Sequence, residues 1–337
     1  MKRPPGRMVI SIDLELAWAK DAHRAESTVE SLLDARRAVP ILLQLFTEYG
    51  VRATWAALGF LFCRSKDEIL ENLPTRLPAY QNSEHSAYSR LASIGESEVD
   101  DPHHYAPSLI DQIAECPGQE VASRTFSNFD CFDDGQDEED FAADLHAAIS
   151  VARRRGIILR SLVFPENRVR RAYLSTCRRA GITAFRGRPH IWPYGLEDSD
   201  DGGRVTQGIR RLASRLDAVV PLTGSRCVLD ETSAVQRPVN VAATRRLQPM
   251  AGHSRWLMSL RRRRIFREVD SAAHNGGIFH LWWRLQDFSA GLDDELDELR
   301  RLLERFAGWQ RLQRLRSVTM HEVVMGRRDS PHLHAVG

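Results

Sequence analysis

The chain has 337 residues, of which 42% are hydrophobic and 27% are charged, proportions that are ordinary for a globular protein. Its 47 basic and 45 acidic residues leave a net charge of +2, which disfavours a dedicated nucleic-acid-binding protein because such proteins carry a strong basic excess. Only Lys2, Lys20 and Lys66 are lysines, so 44 of the 47 basic residues are arginine. This excess reflects either anion recognition or the base composition of the gene.

The sequence contains no candidate membrane span, since no run approaches the roughly 18 apolar residues that a span needs. The apolar stretch Met8–Ile12 is too short for the core of a signal peptide and continues directly into Asp13. The five cysteines are scattered without a C-x-x-C pair, so neither a disulfide framework nor a zinc-thiolate site is predicted. We therefore expect a cytoplasmic protein.

Strand and helix patterns alternate along the chain, with glycines at several of the joints. In chain order the pattern predicts a strand at Met8–Ile12, a helix at Thr28–Tyr49, strands at Val51–Leu58 and Glu120–Phe126, a helix at Phe141–Arg155, a strand at Leu159–Phe164, a helix at Ala172–Ala180, strands at Thr183–Arg186 and Gly277–Trp283, and a helix at Asp293–Phe306. Such alternation favours a mainly parallel sheet or barrel whose chemistry lies where the strands end. We predict a single domain over residues 1–326, with an insertion around 70–107 that forms a lid or rim, and a flexible tail at 327–337.

Five segments, in this order, resemble the motifs of the polysaccharide deacetylases, the NodB-homology or carbohydrate esterase family 4 group. They are Ile10-Ser-Ile-Asp-Leu-Glu-Leu-Ala-Trp18, Tyr49-Gly-Val-Arg-Ala-Thr-Trp55, Pro117-Gly-Gln-Glu-Val-Ala-Ser-Arg-Thr-Phe-Ser-Asn-Phe129, Ser161-Leu-Val-Phe-Pro-Glu-Asn167 and Phe279-His-Leu-Trp-Trp-Arg-Leu-Gln-Asp-Phe288. The resemblance implies a distorted (β/α) barrel. It also implies a relation to deacetylase-like proteins of bacterial surface-polysaccharide biosynthesis, such as that of O-antigen or exopolysaccharide.

The resemblance further implies a metal-dependent N-deacetylase, in which one acid of the first motif acts as base on a metal-bound water. A second acid and two histidines of the second motif hold the metal, commonly zinc, and a late histidine protonates the departing amine. In this chain those histidines correspond to Arg124, Asn128 and Arg284. Asp13 and Glu15 remain, and because they are two residues apart on a strand they share one face.

The replacements change the chemistry that the resemblance implies. Zinc prefers imidazole, thiolate or carboxylate ligands, whereas arginine has no lone pair to offer and stays protonated. We therefore expect no metal cofactor and the loss of N-deacetylation. Our hypothesis is that Arg124 forms an ion pair with Asp13 or Glu15 where the family holds its metal. A hard-cation site built from the oxygen ligands of Asp13, Glu15, Asn128 and Asp130 is the alternative, and the charge of Arg124 opposes it.

The remaining site predictions concern the ligand. Asp13 is the remnant base, and the substrate-binding candidates are Glu15, Arg124, Asn128, Asn167, Arg245, Trp283, Arg284 and Asp287. Trp282 and Trp283 alternate in facing, so one is expected in the core and the other against a sugar ring. Arg245 is a candidate ligand for the diphosphate of a donor sugar. His280 is expected in the core, and Arg261–Arg264 on a solvated helix face.

Three functions remain open at this point. The first is an impaired deacetylase-like protein that binds an acetylated amino sugar, its nucleotide-linked or lipid-linked form, or a partner enzyme. The second is an active carbohydrate deacetylase or hydrolase in which Asp13 acts as base and Arg124 or Arg284 stabilises the oxyanion. The third is a structural partner of an active paralogue, in a homo- or hetero-oligomer.

Overall fold

The computed structural model describes residues 4–19, 29–188, 238–249, 254–288 and 291–326. Within them, nine strands form one parallel sheet and eight α-helices surround it. The strands are β1 (Gly6–Leu14), β2 (Ala53–Ala57), β3 (Glu120–Ser123), β4 (Ser161–Val163), β5 (Ala184–Arg186), β6 (Val239–Asn240), β7 (Arg245–Arg246), β8 (Ile278–Arg284) and β9 (Leu315–Ser317). The helices are α1 (Val29–Glu48), α2 (Lys66–Glu71), α3 (Pro107–Glu115), α4 (Glu138–Arg154), α5 (Leu174–Arg179), α6 (Arg255–Asn275), α7 (Leu292–Arg311) and α8 (Met320–Met325).

The strand order is β6-β5-β4-β3-β2-β1-β8-β7, with β9 also paired to the start of β1. The sheet curls into an open barrel with helices outside it, which is the distorted (β/α) barrel that the sequence predicts. A large apolar cluster fills the layer between sheet and helices, and a smaller one fills the barrel interior. The interior cluster contains small side chains, including Val9, Ala56, Ala122, Val163 and Ala184.

Alternation along β1 explains how polar groups reach the barrel interior. Val9 belongs to the interior cluster, whereas Ile10 and Ile12 belong to the layer beneath the helices. Because successive side chains of a strand point to opposite faces, Ser11 and Asp13 follow Val9 into the barrel. Asp13 is the penultimate residue of β1, so its carboxylate lies at the carboxyl end of the strands.

Helix α8 closes the opposite end of the barrel. Its residues Met320, Val323 and Val324 pack into the interior cluster. The amide of Met320 donates a hydrogen bond to Thr54 Oγ1 at 2.9 Å, and the amide of His321 donates to Glu120 Oε2 at 3.2 Å. The amino end of the barrel is therefore closed by the chain itself, and Asp13 lies at the other end.

The segment predicted as an insertion packs over the loop that follows β1. Trp18 Nε1 donates to the carbonyl of His104 at 2.8 Å, and Arg90 Nη1 donates to the carbonyl of Ala17 at 2.8 Å. From the same segment, Tyr88 Oη donates to Asp144 Oδ2 at 2.6 Å. These bonds fix the segment at the carboxyl end of the strands. The predicted tail at 327–337 lies outside the described residues.

The arginine run on α6 corrects one prediction. Only Arg263 of the four is exposed; Arg264 is 6% exposed, with Nε 3.7 Å from Glu268 Oε1. Arg262 Nη1 donates to Glu298 Oε2 at 2.8 Å. The prediction that this run lies on a solvated helix face was wrong, because α6 packs against both β1 and α7, which buries most of its circumference. No helix of the described residues has the length and apolar character that crossing a membrane requires.

Candidate functional site

The polar centre of the molecule lies where five strands end. Asp13 comes from β1, Arg124 follows β3, Arg186 ends β5, Arg246 ends β7 and Arg284 ends β8. In a barrel of parallel strands, these ends meet at one face, which is where such folds place their chemistry. The described part of the chain therefore brings four arginines and a carboxylate to a single opening.

Arg124 bridges the two acids of β1. Its Nη1 donates to Asp13 Oδ2 at 2.7 Å, and its Nη2 forms an ion pair with Glu15 Oε1. Nη2 also donates to Asn128 Oδ1 at 3.1 Å. All four side chains are buried. The predicted ion pair is confirmed, and it involves both carboxylates.

Arg186 supplies a second guanidinium to Asp13. Its Nη2 donates to Asp13 Oδ2 at 2.7 Å, its Nε to Asn167 Oδ1 at 2.7 Å, and its Nη1 to Ser11 Oγ at 2.8 Å. The guanidinium carbon lies 4.4 Å from the centre of the Trp282 ring, and the residue is 1% exposed. Sequence reasoning missed Arg186, although a charged residue that ends a predicted strand was the signal that could have identified it.

The electrostatics of this centre favour ionised Asp13. Burial alone would raise the pKa of the Asp13 carboxyl, but the charges of Arg186 and Arg124 outweigh burial and hold that pKa below its usual range. Two guanidinium groups and the carboxylates of Asp13 and Glu15 leave no net charge among these four. Within the described residues, Asp13 Oδ1 accepts no hydrogen bond and Arg124 Nε donates none.

His280 extends the network toward the barrel interior. A carbonyl can only accept, so Nδ1 carries the proton and donates to the carbonyl of Val241 at 2.8 Å. Nε2 then accepts from the Ser11 hydroxyl at 2.8 Å, and Ser11 Oγ in turn accepts from Arg186. Burial, assisted by the charge of Arg186, lowers the pKa of His280 to about 3. The histidine is a buried neutral residue, as the sequence predicts.

Acid is expected to destabilise the fold through His280. The unfolded chain protonates this residue near pH 6.5, whereas the folded state resists protonation until about pH 3, so the unfolded state binds more protons between those values. We expect wild type to lose about 3 kcal/mol more stability between pH 7 and pH 4 than a His280→Gln variant. Urea unfolding at both pH values measures the difference, and equal losses would contradict this account.

The carboxylate of Asp287 accepts hydrogen bonds from two arginines at the edge of the opening. Arg246 Nη2 donates to Asp287 Oδ1 at 2.9 Å, and the backbone amide of Arg284 donates to Asp287 Oδ2 at 3.1 Å. Next to it, Gln286 Nε2 donates to Glu15 Oε2 at 3.3 Å. The side chains of Arg246 and Arg284 are 35% and 28% exposed, so both remain accessible.

Two predicted site residues lie elsewhere. Trp283 is fully buried and packs edge-on against Phe46 beneath the helices, whereas Trp282 faces the opening. Arg245 is buried and its Nε and Nη2 both donate to the carboxylate of Glu268, so it is not placed to bind a phosphate. Successive side chains of a strand point to opposite faces, so only one residue of Trp282–Trp283 and one of Arg245–Arg246 can face the site. Those residues are Trp282 and Arg246.

The loops around the site hold strained backbone. Five residues of these loops have a positive φ, between 49° and 63°, a region that residues other than glycine rarely occupy. They are Leu16, Thr125, Asn128, Glu166 and Asn167. Such strain persists where surrounding bonds over-determine it. For the loop after β3 those bonds come from Asp144 on α4, whose Oδ1 accepts from the amides of residues 126 and 127 at 2.6 and 3.3 Å.

The donor set of this centre does not fit zinc. The guanidinium of Arg124 lies directly between the two carboxylates that would be ligands, and it brings a positive charge without a lone pair. No group of three His, Cys, Asp or Glu residues suited to a metal ion occurs in the part of the chain that the structure describes. Asp130, a member of the alternative cation site, uses Oδ1 to accept from the amide of Phe132.

Solved structures of similar shape identify the fold. No family model and no curated protein sequence matches the chain. A protein from Mycobacterium smegmatis assigned as a polysaccharide deacetylase is 12% identical over 100% of this chain and 96% of its own, with a TM-score of 0.56. PuuE allantoinase is 10% identical over 97% of this chain and 92% of its own, with a TM-score of 0.54. The 4-alpha-glucanotransferase of Thermococcus litoralis matches with a TM-score of 0.50 at 10% identity, over 97% of this chain and 41% of its own. The chain therefore has the distorted (β/α) barrel fold of the polysaccharide deacetylases.

Proposed function

We propose that this chain is a carbohydrate-binding protein built on the deacetylase barrel, in which metal-dependent N-deacetylation is lost. The observation that carries the proposal is the guanidinium of Arg124 between Asp13 and Glu15. A metal-dependent hydrolase needs an ion there to lower the pKa of its nucleophilic water. The same space here is filled by the Arg124 guanidinium, which pairs with both carboxylates, so the barrel lacks the means to activate water.

We further propose a cytoplasmic role in bacterial surface-polysaccharide biosynthesis, with an acetylated amino sugar or its nucleotide-linked or lipid-linked form as ligand. The deacetylase-type fold and the five motif segments support this role. Asn128 and Asn167 support the proposal further, because both contribute amide groups next to arginines. No cofactor is part of the proposal.

The two rival functions have less support. An active hydrolase would use Asp13 as its base, but the two guanidinium groups that lower the pKa of this carboxyl also make it a weak base near neutral pH. A purely structural partner of an active paralogue, in a homo- or hetero-oligomer, would have no need of accessible polar groups. The partly exposed arginines at the opening favour ligand binding instead.

Metal analysis combined with an acetate assay tests the proposal. Purified protein, dialysed against zinc and then against buffer, is expected to hold much less than one zinc per chain by mass spectrometry. It is also expected to release no acetate from acetylated chito-oligosaccharides, with or without zinc. An Asp13→Asn variant is the control for residual chemistry, because acetate release by wild type that disappears in this variant would establish the hydrolase instead. Stoichiometric zinc in wild type would equally contradict the proposal.

A further inference from the structure

We propose that Asp144 is a positioning residue for Arg124, and that the insertion at residues 70–107 shares in this positioning through the hydroxyl of Tyr88. We call residues 124–130, which follow β3, the Arg124 loop. It carries Arg124 and Asn128, whose side chains are hydrogen-bonded to each other. The inference rests on the proposed function for the role of Arg124, and it deepens that function by naming the groups that place the guanidinium.

The Arg124 loop needs bonds from outside because its own backbone is unfavourable. Thr125 and Asn128 both have a φ of 63°, a left-handed conformation that residues other than glycine rarely adopt. Such a loop keeps its shape only where the surrounding structure over-determines it. The amide of Arg124 donates to the carbonyl of Ala57 at 2.8 Å, and the carbonyl of Thr125 accepts from the amide of Gly59 at 2.9 Å. These bonds hold the beginning of the loop, so its middle and its end need other anchors.

Asp144 on α4 is the anchor for the middle of the loop. Its Oδ1 accepts from the amides of residues 126 and 127, and its Oδ2 accepts from the hydroxyl of Ser127. The carboxylate is fully buried, and no ion pair to it occurs in the described part of the chain. Its charge is therefore compensated by hydrogen-bond donors, and the loss of any one of them leaves a buried acceptor less satisfied, which is costly.

A further donor to Asp144 comes from the insertion. Tyr88 Oη donates to Asp144 Oδ2 at 2.6 Å, on the same oxygen as the hydroxyl of Ser127. Burial and the charge of Asp144 raise the pKa of Tyr88 well above its usual value, so the hydroxyl keeps the proton that it donates. At the end of the Arg124 loop, the amide of Asp130 donates to Oη of Tyr80 at 3.1 Å. The insertion therefore holds the middle of the loop through Asp144 and the end of the loop directly.

The insertion also holds the other partner of the ion pair. Glu15 directly follows β1, and Trp18 of the same segment donates from Nε1 to the carbonyl of His104 at 2.8 Å. One part of the chain thus fixes the segments on both sides of the ion pair between Arg124 and Glu15. Release of the insertion from Asp144 should therefore loosen Arg124, while Arg186 on β5 keeps its own bonds.

Chemical modification of the two buried guanidinium groups tests the inference. Phenylglyoxal reacts with arginine side chains that reach solvent, and peptide mass spectrometry follows Arg124 and Arg186 in the same sample. We expect Tyr88→Phe to speed modification of Arg124 about tenfold, because a hydrogen bond to a charged group is lost while the ring still packs edge-on against Phe60. Asp144→Asn, which removes the charge itself, should have at least the same effect. The modification rate of Arg186 should stay unchanged in both variants.

Tyr105→Phe is the matched control within the insertion. Its hydroxyl donates to the carbonyl of Gly95 at 2.8 Å, so this variant also removes a hydrogen bond of the insertion without touching Asp144. Arg124 should remain as slow to react in this variant as in wild type. A tenfold rise here would show that any disturbance of the insertion exposes Arg124, and would contradict the role given to Asp144.

The ratio of the two modification rates separates positioning from a merely structural role. General destabilisation would speed the modification of Arg124 and Arg186 equally, and that result would overturn the inference. An unchanged rate for Arg124 in Tyr88→Phe would overturn it as well, and this variant decides the question if Asp144→Asn does not fold. Zinc content and acetate release of wild type test the proposed function separately, so its failure is distinguishable from a failure of this inference.

Discussion

Replacement of Arg186 by methionine is expected to lower the free energy of unfolding by about 3–5 kcal/mol. Methionine is apolar and of similar length, so the variant removes the charge and the three hydrogen bonds to Asp13, Ser11 and Asn167 while filling much of the space. The Asp13 carboxylate then stays buried with only Arg124 to compensate it. Equilibrium unfolding in urea at pH 7 measures the loss.

Two further variants separate charge from packing in that experiment. Arg263→Met on α6 removes an exposed arginine and is expected to change stability by less than about 0.5 kcal/mol. Adding Asp13→Asn to the Arg186→Met variant removes the uncompensated charge, so part of the stability should return. If Arg186→Met costs no more than Arg263→Met, the centre is not held together by this ion pair.

A gain of zinc binding is expected when Arg124 and Asn128 are both replaced by histidine. Arg124 now lies within hydrogen-bond distance of Asp13, Glu15 and Asn128, so these side chains surround one point. Two imidazoles and a carboxylate are a donor set that zinc accepts. The double variant should hold close to one zinc per chain and gain about 2.7 kcal/mol of stability at a free zinc concentration 100 times its dissociation constant.

The double alanine variant at the same two positions is the matched control. It removes the guanidinium without adding ligands, so zinc should neither bind to it nor raise its melting temperature. Chelation by EDTA should reverse the gain in the histidine variant. If the histidine variant remains free of zinc, the guanidinium of Arg124 does not lie where a metal ligand set can be formed, and its position would not account for a loss of deacetylation.

Much of the fold could be predicted because its signals are local. Short apolar runs, helical spacing and glycines at helix ends correctly placed α1, α4 and the strands from β1 to β5. The pairing of Arg124 with the acids of β1 also followed from sequence, because the resemblance to the deacetylase motifs aligns Arg124 with a metal-binding histidine of that family. Strands β6 and β7 have two residues each and lack a periodic signal, so they were not predicted.

Which side chains of β7 and β8 face the site was harder to predict, because it depends on the register of strand pairing. Strand β7 aligns Arg246 with Trp282 of β8, and this alignment turns both to the opening while Arg245 and Trp283 turn away. A shift of one residue would exchange each pair, and the local sequence contains two arginines and two tryptophans that satisfy either choice. Arg186 was not predicted because its partner Asp13 is 173 residues away in the sequence, which no local pattern indicates.

The position of β1 between β2, β8 and β9 has a consequence for synthesis on the ribosome. Gly6 is aligned with Leu315 and Asp13 with Arg284, so these partners of β1 are made about 300 residues after it. At about 5–20 residues per second, the nascent chain waits roughly 15–60 seconds before β1 can be fully paired. Until then a buried apolar strand has an open edge, which is a surface for chaperones and for aggregation. Termination of translation before β8 would therefore leave a chain that has the early motifs but neither a closed sheet nor an assembled site.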